Sequence, residues 1–297
     1  MDSWQVSYER QLTNTLMAEV AYAGSKGSNL IWVGNINEVQ PGPGTQASRR
    51  LIQPLSNVVT INYFDTNNRS TYHGLQVKVN QRFARGLQYL ASYTFGKSLD
   101  YAGSPASGGG AVGGPQSVTL FEQSKGPSGF DVKHRFVLSW VWALPFGADH
   151  GLACSGLLKP ILQDWQFGGR PFTVFLNTGV NNGAPSWPDR IGDGRLDHPT
   201  VDLWFDPTAF VAPAPNHYGT SGRGVIYAPG TQTVDVSLSR TFPVSRFRVQ
   251  FRADAFNLFN TPQFGFPNQN IGSPTVGKIT TTIGDNRSMQ FALKLDF

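Results

Sequence analysis

Apolar and polar residues alternate along most of this chain, and the alternation predicts strands rather than helices. From Arg246 to Ala255, the residues Phe247, Val249, Phe251, Ala253 and Ala255 share one face, while Arg246, Arg248, Gln250, Arg252 and Asp254 share the other. His134 to Leu144 repeats the pattern, with Phe136, Leu138, Trp140, Trp142 and Leu144 set against Arg135 and Ser139. The closing stretch, Arg287 to Phe297, puts Met289, Phe291, Leu293, Leu295 and Phe297 on one face. A period of two is what a strand shows when one face meets apolar surroundings and the other meets water or polar groups. Nine such segments are predicted, at 4–11, 14–24, 71–82, 87–98, 134–144, 165–177, 233–242, 246–258 and 287–297, with a short extra piece around 276–283.

The connections alternate between tight and long. Short turns are expected near Leu12–Thr13, Phe83–Gly86 and Pro243–Ser245, and a medium one from Pro145 to Asp164. Long ones run from Ser25 to Ser70, Leu99 to Lys133, Thr178 to Gln232 and Asn260 to Asn286. In an antiparallel sheet this places every long loop at one end, the asymmetry of an outer-membrane barrel with short periplasmic turns and long extracellular loops. Phe83, Phe242, Phe247 and Phe297 fall at short-turn ends, and Tyr22, Tyr72, Phe95, Phe136 and Phe256 towards long-loop ends, where a barrel carries its aromatic girdles. The expected fold is therefore all-β, an antiparallel transmembrane β-barrel fragment of about nine strands with long extracellular loops. If Phe297 ends on the periplasmic side, counting back starts Trp4 on the extracellular side, so the chain is expected to begin mid-barrel.

Composition changes this picture little. Only 14% of the 297 residues are charged and 12% are aromatic, while 33 glycines and 20 prolines mark many turns. The apolar runs are far short of the ~18 residues of a spanning helix. A mean hydropathy of −0.24 suits strands with one polar face. The net charge of +5 is spread along the strands without a Lys/Arg-rich run, so no nucleic-acid partner is expected. Cys154 is the single cysteine, which leaves no intramolecular disulfide. Met1 and Asp2 lead directly into strand-like sequence with no basic and apolar leader.

Several stretches go further. G-T-S-G-R-G-V-I-Y-A-P-G-T-Q-T-V-D-V-S-L-S-R-T-F (219–242) and F-R-V-Q-F-R-A-D-A-F-N-L-F-N-T-P-Q-F-G (247–265) resemble the C-terminal barrel of TonB-dependent transporters. The likeness is greatest to the Oar-like group with an N-terminal carboxypeptidase-regulatory-like domain, of acidobacterial type. Y-H-G-L-Q-V-K-V-N-Q-R-F (72–83), A-S-Y-T-F-G-K-S-L-D (91–100), D-V-K-H-R-F-V-L-S-W (131–140) and D-R-I-G-D-G-R-L (189–196) extend it over nearly the whole chain. The resemblance implies that residues 1–297 are the last part of a barrel of about 22 strands, without its plug and regulatory-like domain. It also implies uptake of an unknown ligand energised by TonB, contact with membrane lipid, and a terminal strand, Met289 to Phe297, read by the barrel-assembly machinery. Such a fragment is not expected to transport alone. A non-energised porin or surface-binding barrel is the alternative reading, and a soluble all-β carbohydrate-binding module the second.

Candidate chemistry is sparse. Asp189, Asp193 and Asp197 lie in a glycine-containing loop, where oxygen ligands could hold calcium; the spacing is not that of an EF-hand, and Asp-Gly pairs also form ordinary turns. Arg246, Arg248, Arg252 and Asp254 could face the lumen and meet an anionic substrate or the plug, or pair among themselves. Trp187, Trp204 and Tyr218 make the Thr178–Gln232 loop aromatic, suited either to binding a ligand such as a sugar or to packing as a lid. The glycine-rich 104–115 stretch lacks the phosphate-cradling motif. No nucleophile triad or histidine pair at metal-ligand spacing occurs, so neither enzymatic activity nor a cofactor is expected.

Overall fold

The structure, a computed structural model, describes residues 1–84, 86–103, 113–143, 156–165, 171–172, 175–176, 187–244 and 246–296. Leu144, Cys154 and Phe297 lie outside these. Nine long strands follow one another: β1 (Asp2–Gln11), β2 (Leu16–Asn35), β3 (Asn62–Ala84), β4 (Leu87–Asp100), β5 (His134–Ala143), β6 (Gly156–Trp165), β7 (Asp235–Val244), β8 (Phe247–Phe256) and β9 (Ser288–Asp296). Each pairs antiparallel with its neighbours in sequence, a meander without crossovers. Among the described residues β1 and β9 each pair on one side only, so the sheet is open.

Two expectations about strand limits are corrected. The sixth strand lies at Gly156–Trp165, not at 165–177, where the described residues form the two-residue strands Pro171–Phe172 and Phe175–Leu176. Pro160 stands in the middle of that strand, opposite Val236, and a proline that cannot donate to the ladder disguises a strand in sequence. The second correction concerns the hairpin of β2 and β3, which runs well beyond residues 24 and 71. Its outer half holds register shifts between Gly27 and Leu30 and between Leu30 and Trp32, so the regular alternation fails although the pairing continues. The piece near 276–283 is not a strand; Thr282 makes an isolated bridge with Phe264.

Directly opposed residues share a face, which lets rows be traced across the wall. One row runs Tyr8, Val20, Val77, Tyr93, Phe136, and another Leu238, Ala253, Phe291. On the opposite face lie Gln76, Thr94 and Arg135, and, further along, Thr241, Gln250 and Lys294. Along most of its length the apolar face is bare among the described residues: Val6, Phe291 and Leu293 are each about two-thirds or more exposed (72%, 66% and 73%). Apart from Ala21, the buried apolar side chains gather at the long-loop end, with Phe205, Phe210 and Ile226 in one cluster and Trp32, Ala102 and Phe121 in another.

Candidate functional site

The long loops form an interlocked crown, and its joints are buried polar groups. Asn37 is fully buried; its amide donates to the carbonyls of Leu55 and Val58 at 2.9 and 2.7 Å and its oxygen accepts from the Ile52 N–H at 2.9 Å. The Glu38 carboxylate, buried beside it, accepts from Gln40 Nε2 at 2.8 Å, from the Val118 N–H at 3.0 Å and from the Ser117 hydroxyl, which ties the first long loop to the second. Tyr218, from the third, donates to Gln40 at 3.2 Å. Burial holds the Tyr218 hydroxyl above its ordinary pKa.

Arg223 is the strongest joint. It sits between Gly222 (φ +79°) and Gly224 (φ +66°), left-handed positions that glycine occupies without strain. Its guanidinium, wholly buried, pairs with the Asp100 carboxylate at the end of β4 and donates from Nε to the Ser124 carbonyl at 3.0 Å. The N-L-F-N stretch does the same for the last loop. Asn257 and Asn260 take positive φ (+49° and +52°); Asn257 accepts from the Thr261 N–H at 3.0 Å and donates to the Asp285 carbonyl at 3.2 Å. Asn260 accepts from the Arg287 N–H at 3.0 Å, fixing where β9 begins.

Beneath this crown the polar face of the wall bears a pocket of about 360 Å³, lined by Tyr72, Gln76, Thr94, Phe130 and Arg135. Phe130, 73% exposed, hangs from the loop as an apolar lip over a polar floor. The Tyr72 ring lies along the strands over Gly74 and Gly96; a Cβ at Gly74 would collide with it, and one at Gly96 would crowd it. Behind the pocket, buried Asp131 accepts from the Ser98 N–H at 2.7 Å, from Lys97 Nζ at 2.6 Å and from the Tyr227 hydroxyl at 3.0 Å. Burial raises the pKa of Tyr227, and the bond from Lys97 opposes this only in part.

The residues singled out from sequence scatter. Trp187 is buried, its backbone N–H donating to the Gln116 side-chain oxygen at 3.0 Å, and Trp204 donates from its indole to the Tyr227 carbonyl at 2.8 Å; both pack within the crown. Asp189 accepts from the backbone and hydroxyl of Thr220 at 3.0 and 2.9 Å, Asp193 pairs with Arg190 at 2.8 Å, and Asp197 is exposed. No group of three or more His, Cys, Asp or Glu is arranged to hold a metal among the described residues. Arg252 pairs with Asp254 at 2.9 Å, Arg248 stands opposite Asp296, and Arg246 lies in the turn with its guanidinium 5.4 Å over the Phe247 ring. Met289, Phe291, Leu293 and Leu295 share the apolar face as expected. Sequence reasoning passed over Asp100, Asp131, Arg223 and Tyr227, although all four stand in the stretches that carried the resemblance; the glycines flanking Arg223 were the available signal.

With an open antiparallel wall, a largely bare apolar face and a crown at one end only, the geometry is that of a membrane barrel. The family described as the outer membrane beta barrel domain matches residues 1–290. The chain is a member of that family. Its place is therefore the bacterial outer membrane, and the soluble binding-module reading is set aside. The fold is similar to that of the outer membrane transporter YddB from Escherichia coli, with a TM-score of 0.52 and 12% identity over 99% of this chain and 32% of that one. BauA, the ferric preacinetobactin receptor from Acinetobacter baumannii, aligns with a TM-score of 0.44 and 10% identity over 99% of this chain and 28% of its own. The chain thus spans about a third of the length of YddB. No curated protein matches it.

Proposed function

We propose that this outer-membrane barrel chain is the C-terminal part of a TonB-dependent transporter of the Oar-like, carboxypeptidase-regulatory-like group. In this reading residues 1–297 supply wall and extracellular crown, and the plug and the TonB-contacting segment belong to the rest of the gene product. The assembly machinery reads β9 and Phe297 as the terminal signal. The protein moves a ligand and transforms none.

The observation that carries the reading is the pocket under the crown. Phe130 and the loop behind it overhang a polar, partly aromatic niche on the inner wall, a shape suited to holding a ligand. Concave niches with a few converging polar groups are where small molecules are held. Tyr72 offers a ring face, and Gln76, Thr94 and Arg135 offer donors and acceptors.

The test is energy dependence. The complete gene product is expressed in cells with and without TonB, and accumulation of a panel of iron chelates and oligosaccharides is followed. At least one probe accumulates only with TonB, and Tyr72→Ala or Arg135→Gln lowers its uptake. Uptake that is indifferent to TonB for every probe admitted makes the protein a passive porin.

A further inference from the structure

The outer side of the wall has a pocket of its own. Lys97 follows Tyr93 and Phe95 on the lipid-facing side of β4, one step past the aromatic row. The Lys133 ammonium lies 5.9 Å over the Phe95 ring. Just below, His134 packs 5.1 Å from Phe95 and shares a 2.7 Å hydrogen bond with the Tyr93 hydroxyl. The third long loop reaches over this spot, and Arg195, Trp204 and Tyr227 close a cavity of about 520 Å³ around Lys97 and Lys133.

Charge in the cavity is unbalanced. Lys97 is matched by Asp131 at 2.6 Å. Among the described residues Arg195 pairs only with Asp193, at 3.8 Å, and its side chain is 64% exposed. Lys133 makes no ion pair among the described residues and meets only the Phe95 ring. Two loosely held cations therefore face a cavity walled by indole and phenol rings. Its floor continues into the apolar band of the wall, so the cavity stands where hydrocarbon gives way to lipid head groups.

We propose that this pocket binds the net-anionic, phosphate-bearing head group of an outer-leaflet lipid, with Lys133 and Arg195 gripping the phosphate. The acyl chains then run down the wall past Phe95, Tyr93 and His134. A free anion would use the two cations but not the band beneath them; a lipid uses both. The inference rests on membrane location alone, so energised uptake can fail without affecting it.

The full gene product is purified from outer membranes, stripped of lipid in non-ionic detergent and offered phosphatidylglycerol or phosphatidylcholine, with retained lipid counted by native mass spectrometry. Two surface cations predict a roughly thirty-fold preference for phosphatidylglycerol. Lys133→Gln with Arg195→Gln brings the preference to near parity, while Lys133→Arg keeps it. Heat-modifiable gel migration establishes that each variant has folded; should the double variant fail this, the exposed Lys133→Gln alone carries the comparison. Equal retention of both lipids by the unaltered protein, or an undiminished preference in the double variant, overturns the proposal. Inorganic phosphate that displaces phosphatidylglycerol completely overturns the lipid assignment and leaves an anion site.

Discussion

β9 exposes every side chain from Ser288 to Leu295, whereas Arg223 in the crown exposes none of its own. The wall has no interior of its own. Its strands are joined by backbone ladders and cross-strand pairs, and its apolar face is complete only against hydrocarbon. The crown is built as a water-soluble protein is, with Phe205, Phe210 and Ile226 packed together and buried charges such as Arg223 and Asp100 set against each other. One sequence thus carries two burial rules, and an aromatic residue means something different on each side of the boundary. Phe291 is a lipid contact, and Phe205 is a core residue.

The comparison breaks most sharply at Arg223. Arg223→Ala leaves Asp100 buried without its cation, which costs roughly 3–5 kcal/mol. The loss is local: hydrogen exchange and protease cleavage increase in residues 187–232, while the strands keep their protection in detergent. A wall that melts together with the crown would show that the two regions are one cooperative unit. Next in size is Phe291→Arg, which sets a charge on the lipid-facing row and lowers stability by roughly 2–4 kcal/mol in vesicle refolding. Gln290→Arg, one residue away on the polar face, changes it by well under half as much. Equal costs at the two positions would remove the facial distinction.

The smallest effect sharpens the contrast by pH. Tyr218 and Tyr227, both in the crown, have pKa values raised from the ordinary 10.0 by burial. Their neutral forms are the ones the fold accepts, so the stability they support is complete below about pH 10 and is lost as the pH climbs through the raised values. Crown amides should exchange faster at alkaline pH than the buffer alone accounts for, wall amides should not, and Tyr218→Phe with Tyr227→Phe should abolish the difference.

The wall was legible because its rule is local. Alternation depends on residues two apart, and eight of nine strands were located by that rule, although β2 and β3 run well past the limits it set. It failed at Pro160, which interrupts the pattern without ending the strand, and at Gly27 to Trp32, where register shifts scramble parity in a hairpin that still pairs. The crown was illegible for the opposite reason. Glu38 meets Ser117 and Arg223 meets Asp100 across long separations in sequence, and no spacing foretells such a meeting. Trp187 and Trp204 were noticed for being aromatic, but composition cannot tell a ring that packs a lid from one that awaits a ligand.

The meander has an evolutionary consequence. Because the nine long strands pair with one another in chain order, a hairpin duplicated or deleted by recombination changes the girth of the wall without rerouting any connection. Removing two strands returns the chain to the same side of the membrane, with the remaining turns and loops at their proper ends. The crown has no such freedom, since the loss of one loop strands its partners' buried charges. Barrel circumference should therefore drift among descendants of this gene more readily than the joints that hold its loops.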